Sequence, residues 1–179
     1  VTTYGSAEIS ACGLYRYALT RRWSDCPTVA FVMLNPSVAD HVRDDPTLRR
    51  VTAFAKTWGY GGLAVVNVYA FRATQPADLW KAADPIGPDN DLWLKFVVAD
   101  CRLIVAAWGA NARPERIADV LALPGMSGLT ALGVTKGGQP RHPLYLRADL
   151  VPQPWAPVSV VAARSPTSSR PACADGPRP

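Results

Sequence analysis

The sequence predicts an α/β fold: a three-layer sandwich around a central, mainly four-stranded parallel sheet, with one antiparallel strand ahead of it. Three observations predict it. The runs "TVAFVML", "LAVVNVYAF" and "RLIVAAWG" are apolar without alternation, as strands buried on both faces are. Segments with helical apolar spacing separate these runs. The unusual polar residues of the chain gather in the stretches that follow the runs. The 179 residues suffice for one domain with a real core. The patterning places that domain at residues 13–150, between an N-terminal extension (1–12) and a Pro- and Ser-rich tail (151–179) that reads as disordered.

Each element has a local reason. "LYRYALTRRW" alternates bulky and polar residues and reads as the antiparallel strand. The turn "SDCP" leads into "TVAFVML", Thr28 to Leu34. "PTLRRVTAFAKTWGYGG" is a helix with Asp45 as N-cap, Pro46 at the first position and Gly59 at the end. Val51, Phe54, Ala55 and Trp58 form its apolar stripe. "LAVVNVYAF" is the next strand, and "DNDLWLKFVVADC" a helix capped by Asp89. "RLIVAAWG", the helix "RPERIADVLAL" and the short strand "LTALGV" complete the series.

Composition excludes some classes. About half of the residues are hydrophobic, as in an ordinary globular chain. No run reaches the ~18 apolar residues of a membrane span, and "VTTYGSAEIS" lacks the basic-then-apolar order of a signal peptide. A cytoplasmic protein without membrane association is expected. The net charge of +5 is carried mostly by arginine, which suits phosphate recognition. Cys12, Cys26, Cys101 and Cys173 are scattered with no C-x-x-C pair, and there are two histidines. That pattern fits neither a zinc site nor an iron–sulfur cluster, and no cofactor is expected.

Ligands of open parallel sheets bind beyond the carboxyl ends of the strands. That rule selects four loops, residues 35–45, 67–74, 108–113 and 135–145. The first carries Asn35, Pro36, Ser37, Asp40, His41, Asp44 and Asp45. An Asn at a strand end offers both a donor and an acceptor, for a water or the edge of a base. Pro36 stiffens the turn, and backbone N–H groups near Ser37 suit a phosphate. Asp45 reads as a helix cap. In the second loop Asn67 is an amide inside an apolar strand and Arg72 is placed for a phosphate or carboxylate. Tyr69 and Phe71 read first as core and second as stacking platforms. Trp108 can wall the third loop. The fourth has Lys136 and Arg141 as cations beside Gly137 and Gly138, and His142, the side chain suited to proton or charge work near neutral pH.

"FVMLNPSVAD", "RDDPTLRR", "WGYGGLAVVNVYAFRAT" and "RHPLYL" resemble an uncharacterised bacterial and phage family, known only as a domain of unknown function, over most of residues 13–150. More distantly, the order of motifs is similar to the uracil-DNA glycosylase superfamily. That resemblance implies a glycosylase-like fold. It implies that Asn35 of "LNPS" positions a hydrolytic water, that Asn67 reads the base, and that His142 of "RHPL" stabilises the leaving base. The chain departs from that pattern at Leu34, where many relatives keep Gly, at Leu144 in place of Ser, and in the acidic "DHVRDD" segment.

The resulting expectation is an enzyme acting on a nucleobase-containing small molecule or single-stranded nucleic acid, by hydrolysis of an N-glycosidic bond. Asn35, Asp40 and His142 are the candidate catalytic residues. Pro36, Ser37, Asn67, Arg72, Trp108, Lys136 and Arg141 are the candidate substrate contacts. Two alternatives stand beside it. One is a binding module without turnover. The other is Mg²⁺-dependent phosphoryl or glycosyl transfer using Asp40, Asp44 and Asp45.

Overall fold

A computed structural model describes residues 4–37 and 45–157 of the chain. Among these, seven strands form one mixed sheet in the order β1-β2-β4-β3-β5-β6-β7. The strands are β1 (Tyr4–Ile9), β2 (Arg16–Arg22), β3 (Thr28–Met33), β4 (Gly62–Asn67), β5 (Leu103–Ala106), β6 (Thr130–Ala131) and β7 (Gln153–Pro154). The helices are α1 (Pro46–Thr57), α2 (Pro76–Leu79), α3 (Asn90–Ala99) and α4 (Pro114–Leu121), followed by a short 3-10 helix, Pro143–Tyr145. No helix among the described residues is long and apolar enough to cross a membrane.

The parallel centre is β4-β3-β5-β6, with β3 in register between β4 and β5 (Phe31 opposite Val65 and Val105). β2 and then β1 add antiparallel on one side, β7 on the other. β1 therefore occupies part of the expected extension, and β7 the start of the expected disordered tail. Their residues are exposed at all but one position, so hydrophobic patterning does not announce them. Residues 158–179 lie outside those described.

Period-two alternation divides the core. Val29, Phe31, Met33, Leu63 and Val65 pack under α1, against Leu48, Val51 and Phe54. Ala30, Val32, Leu34, Ala64 and Val66 pack against Leu94 and Val98 of α3 and Ile117 and Val120 of α4. The helices therefore cover both faces. Right-handed crossovers require this, because the chain moves from β3 one way to β4 and then back past β3 to β5. Each buried Val, Leu or Phe contributes about 1.5–3 kcal/mol.

The α1 boundaries follow the predicted signals. Asp45 Oδ1 accepts from the Leu48 N–H at 2.6 Å, Pro46 opens the helix, and Gly59 leaves it at φ +80°. The predicted Asp89 cap is different. Asp89 stands at the position before α3, but its side chain makes no capping bond.

The next residue, Asn90, is fully buried. Its Nδ2 donates to the carbonyls of Asn67 and Val68, each at 3.1 Å. Arg116 of α4, also buried, donates from Nε to the Val68 carbonyl at 2.9 Å and pairs with Asp91. The β2–β4 ladder leaves these carbonyls without strand partners. Ala18 pairs with Val66, yet the next bridge is Tyr15 with Phe71, so the β4 side carries two extra residues. A buried carbonyl without a partner costs about 1–3 kcal/mol. Asn90→Leu should lower unfolding free energy by about 2 kcal/mol, read as a lower denaturant midpoint at unchanged m-value. An unchanged midpoint would show that water replaces the amide.

Candidate functional site

Asn35 lies two residues beyond Met33 and Asn67 two beyond Val65, so alternation turns both toward the α1 face. The backbone holds them there. Parallel pairing continues past the strand ends through Val68 N–H to the Met33 carbonyl at 2.8 Å, Tyr69 N–H to Leu34 at 2.9 Å, and Ala73 N–H to Pro36 at 3.0 Å. Asn35 Nδ2 donates to the carbonyls of Pro36 (3.1 Å) and Ala73 (2.9 Å). The amide nitrogen is thereby engaged, and Oδ1 is the atom Asn35 can offer to a ligand or water. Asn67 is 1% exposed, and its Nδ2 has no hydrogen-bond partner among the described residues.

Asp45 joins the site from the start of α1. Besides capping the helix, its Oδ2 accepts from the Ser37 hydroxyl at 2.9 Å. His142 arrives from the other side of the sheet on the loop after β6. Gly109, at φ +75°, donates its N–H to the Pro140 carbonyl at 2.9 Å, and Trp108 Nε1 donates to Gln139 Oε1 at 2.9 Å. Beyond His142, Arg50 of α1 donates to the Leu146 carbonyl. His142 Nδ1 accepts from the Leu144 N–H at 3.3 Å, which leaves Nε2–H as the donor of a neutral ring. His142 is partly open to solvent and also lines the cavity. Burial pushes its pKa below 6.5, and the nearby Asp45 carboxylate opposes that shift.

The sequence reading missed Arg16, which is buried at 6% exposure and lines the same cavity. Plain alternation from Ala18 would send Arg16 toward α3. The β1–β2 register shifts here, however, with Glu8 opposite Ala18 and Ile9 opposite Arg16. This bulge turns Arg16 to the α1 side, beside Leu19, Met33 and Val65. Burial lowers its pKa to about 10, with Asp45 holding it up and Arg72 and Arg21 pressing it down. The signal was present as an arginine in an apolar stretch of strand, but only the irregular pairing says which way it points.

Two adjoining spaces result. An inner cavity of about 80 Å³ is lined by Arg16, Asn35, Ser37, Asp45, Asn67 and His142 over an apolar floor. An outer cleft of about 330 Å³ shares Asn35, Ser37 and His142 and extends along Thr74, Trp108 and Asn111. The inner space suits a single ring or small ionic group, and the outer one is at the low end of ligand pockets, ~300–1,000 Å³.

Other predicted residues are placed elsewhere. Pro36 is buried, and its carbonyl takes the Asn35 and Ala73 donors. Arg72 donates to the Gly13 carbonyl at 3.0 Å and lines neither space. Lys136 sits exposed on a turn closed by Gly138 N–H to the Thr135 carbonyl. Arg141 is exposed and tied by its backbone to Gly133. Neither of these two cations lines the cavities. Tyr69 is core, its hydroxyl accepting from the Arg113 N–H at 3.2 Å. Phe71 packs edge-on to Tyr15. Asp40, with His41 and Asp44, lies outside the described residues.

No curated protein and no solved structure matches the chain. A family model described as "Protein of unknown function (DUF1643)" matches residues 16–144. The match runs from Arg16 to just past His142 and so spans every residue that lines the inner cavity. The chain belongs to this family of proteins of unknown function, DUF1643.

Proposed function

We propose that the chain recognises a nucleobase-containing ligand at this rim and hydrolyses its N-glycosidic bond, with a glycosylase-like fold. One observation carries the reading. Asn35 just beyond β3, Asn67 at the end of β4 and His142 on the loop after β6 line one cavity, and the Asn67 amide inside it is buried with its nitrogen unpartnered among the described residues. A buried donor in that state needs an acceptor, and a ligand in the cavity would supply one.

The ring enters the inner cavity and is read by Asn67. Sugar and phosphate occupy the outer cleft toward Trp108 and Asn111. As the glycosidic bond breaks, positive charge builds on the sugar and negative charge on the base. Asn35 Oδ1 orients the attacking water, and His142 Nε2–H donates to the departing base. Duplex DNA would have to present a flipped base, so a nucleotide or single strand is the simpler substrate. Mg²⁺ chemistry at the acidic loop is less well supported, because both Asp45 oxygens are engaged by Leu48 N–H and the Ser37 hydroxyl.

Incubation with nucleosides, nucleotides and short single-stranded oligonucleotides should release free base from at least one of them. Asn35→Ala and His142→Ala should each cut the rate per folded molecule by about a hundredfold or more, with a modest loss of melting temperature for Asn35→Ala as the Pro36 and Ala73 carbonyls lose their donor. Thermal stabilisation by a ligand with no base released would identify a binding module instead.

Asn67→Ala separates recognition from stability. Removing an unpaired buried amide should leave folding stability unchanged or raised, by up to about 1 kcal/mol, while ligand affinity falls about tenfold. A large loss of melting temperature would mean that the amide is structural.

The pH dependence of stability follows from His142. Its folded pKa is lowered below 6.5 by burial, so the unfolded chain binds protons more readily in that range. The contribution of the neutral ring is complete above pH 6.5 and is lost as pH falls through the folded value. Below pH 6.5 the wild-type melting temperature should fall more steeply than that of His142→Gln. Parallel curves would refute the assignment.

A further inference from the structure

We infer that Trp155 is a positioning residue for His142: its indole, beyond the residues that the family model matches, seats the loop that brings the imidazole to the cavity. This rests on the role proposed for His142 above, while the position of the imidazole is measurable without turnover.

Residues 133–142 form a small hairpin. Val134 bridges Pro140, the Arg141 N–H donates to the Gly133 carbonyl at 2.9 Å, and the Thr135 N–H donates to the Gln139 carbonyl at 2.8 Å. Gly133 and Gly138 have positive φ, +146° and +77°. A lone two-stranded hairpin is marginal in water, and glycines at its bends weaken it further. Its place therefore depends on what the body of the fold gives it. Three successive residues each take one donor. The Gly138 carbonyl accepts from Trp155 Nε1–H at 3.0 Å, Gln139 Oε1 from Trp108 Nε1–H at 2.9 Å, and the Pro140 carbonyl from the Gly109 N–H at 2.9 Å. His142 follows two residues later.

The two indoles act as a pair. Their rings meet edge to face with centroids 5.2 Å apart, a favoured arrangement of aromatic side chains. Trp108 is buried just past β5. Trp155 is half-buried, and its backbone N–H is held by the Leu129 carbonyl at 2.9 Å, beside a β7 ladder of two residue pairs. Its ring borders two open spaces, of about 460 and 240 Å³. Removing it would widen them and leave the Gly138 carbonyl without its indole donor. Trp155 lines neither the inner cavity nor the outer cleft. Its effect on the site therefore runs through the loop, where a displacement of about 1 Å is enough to cost about a hundredfold in rate.

The chain has two histidines, His41 and His142. Ring-proton NMR can thus follow His142 directly, with His142→Gln to identify its signal. In the wild type, burial holds the pKa below 6.5. Among the described residues, the charged groups on the elements around the ring are Asp45 and Arg16 in the cavity, Arg50 of α1, which donates to the Leu146 carbonyl, and Arg141 beside it in the chain. The first three stand on α1, its cap and β2, not on the loop. A change in the His142 pKa on altering Trp155 therefore reports the seating of the loop.

The test compares full-length wild type, Trp155→Phe and Trp155→Ala by His142 titration, melting temperature and steady-state base release. Trp155→Ala should raise the His142 pKa toward 6.5 as the loop loses its seat, and cut kcat about tenfold or more with KM little changed. Trp155→Phe keeps a ring against Trp108 but has no N–H for Gly138, and should move both in the same direction by less. It decides the question by itself if the alanine variant does not fold. If the pKa stays at its wild-type value in the variants that fold, Trp155 is structural only and the inference falls, whatever the melting temperature. If the pKa moves while base release is absent or unaffected, the positioning of His142 stands and its role in glycosidic cleavage falls.

Discussion

The site depends on the place where β2 and β4 part company. Regular pairing would continue from Ala18 and Val66 and give the Asn67 carbonyl a partner on β2. The register slips instead, and the consequences are linked. Arg16 is turned onto the α1 face. The backbone at Asn67 and Val68 stays close to β3 through Val68 and Met33. The abandoned carbonyls then need donors from below, which α3 and α4 provide as Asn90 and Arg116. Polar groups buried under an apolar sheet are expensive unless paired. These contacts are what make the irregular rim tolerable, and the rim is where Arg16, Asn35, Asn67 and His142 gather around one cavity.

A second linkage runs through Asp45. One oxygen caps α1 and the other holds Ser37, at the two ends of the undescribed part of the first loop. The same carboxylate favours the charged form of Arg16 and raises the proton affinity of His142. Helix stability, loop closure and the electrostatics of the cavity are therefore not separable at this residue. A substitution there would act on all three at once, whereas Asn35 and Asn67 act on the cavity more locally.

Much of the scaffold was legible in the sequence because burial on both faces leaves continuous apolar runs, as at Val29 to Met33 and Leu63 to Val66. The α1 signals were legible for a local reason too, since Asp45, Pro46 and Gly59 act on their own neighbours. The strand-end rule led to Asn35, Asn67 and His142, whose side chains share a cavity. What depended on pairing was not legible. Arg16 looked like one more alternating residue until the bulge fixed its direction. Lys136 and Arg141 are in the right loop, but its turn and its tie to Gly133 carry them away from the cavity. β1 and β7 are edge strands with solvent-exposed residues, defined by their neighbours and not by their own pattern.

The division into a small inner cavity and a larger outer cleft bears on what kind of selectivity this rim can have. The inner space of about 80 Å³ is too small for much affinity to come from buried apolar area. Discrimination there has to come from matching donors to acceptors, where a single mismatch leaves a buried group unpaired and costs about 1–3 kcal/mol. The outer cleft has the room for contact area, and Trp108 and Asn111 line it beside small residues such as Ala73, Gly109 and Ala110. Under the function proposed above, selection would fall to the inner cavity and retention to the outer cleft. That function would also account for the Asn67 nitrogen, which is buried without a partner among the described residues.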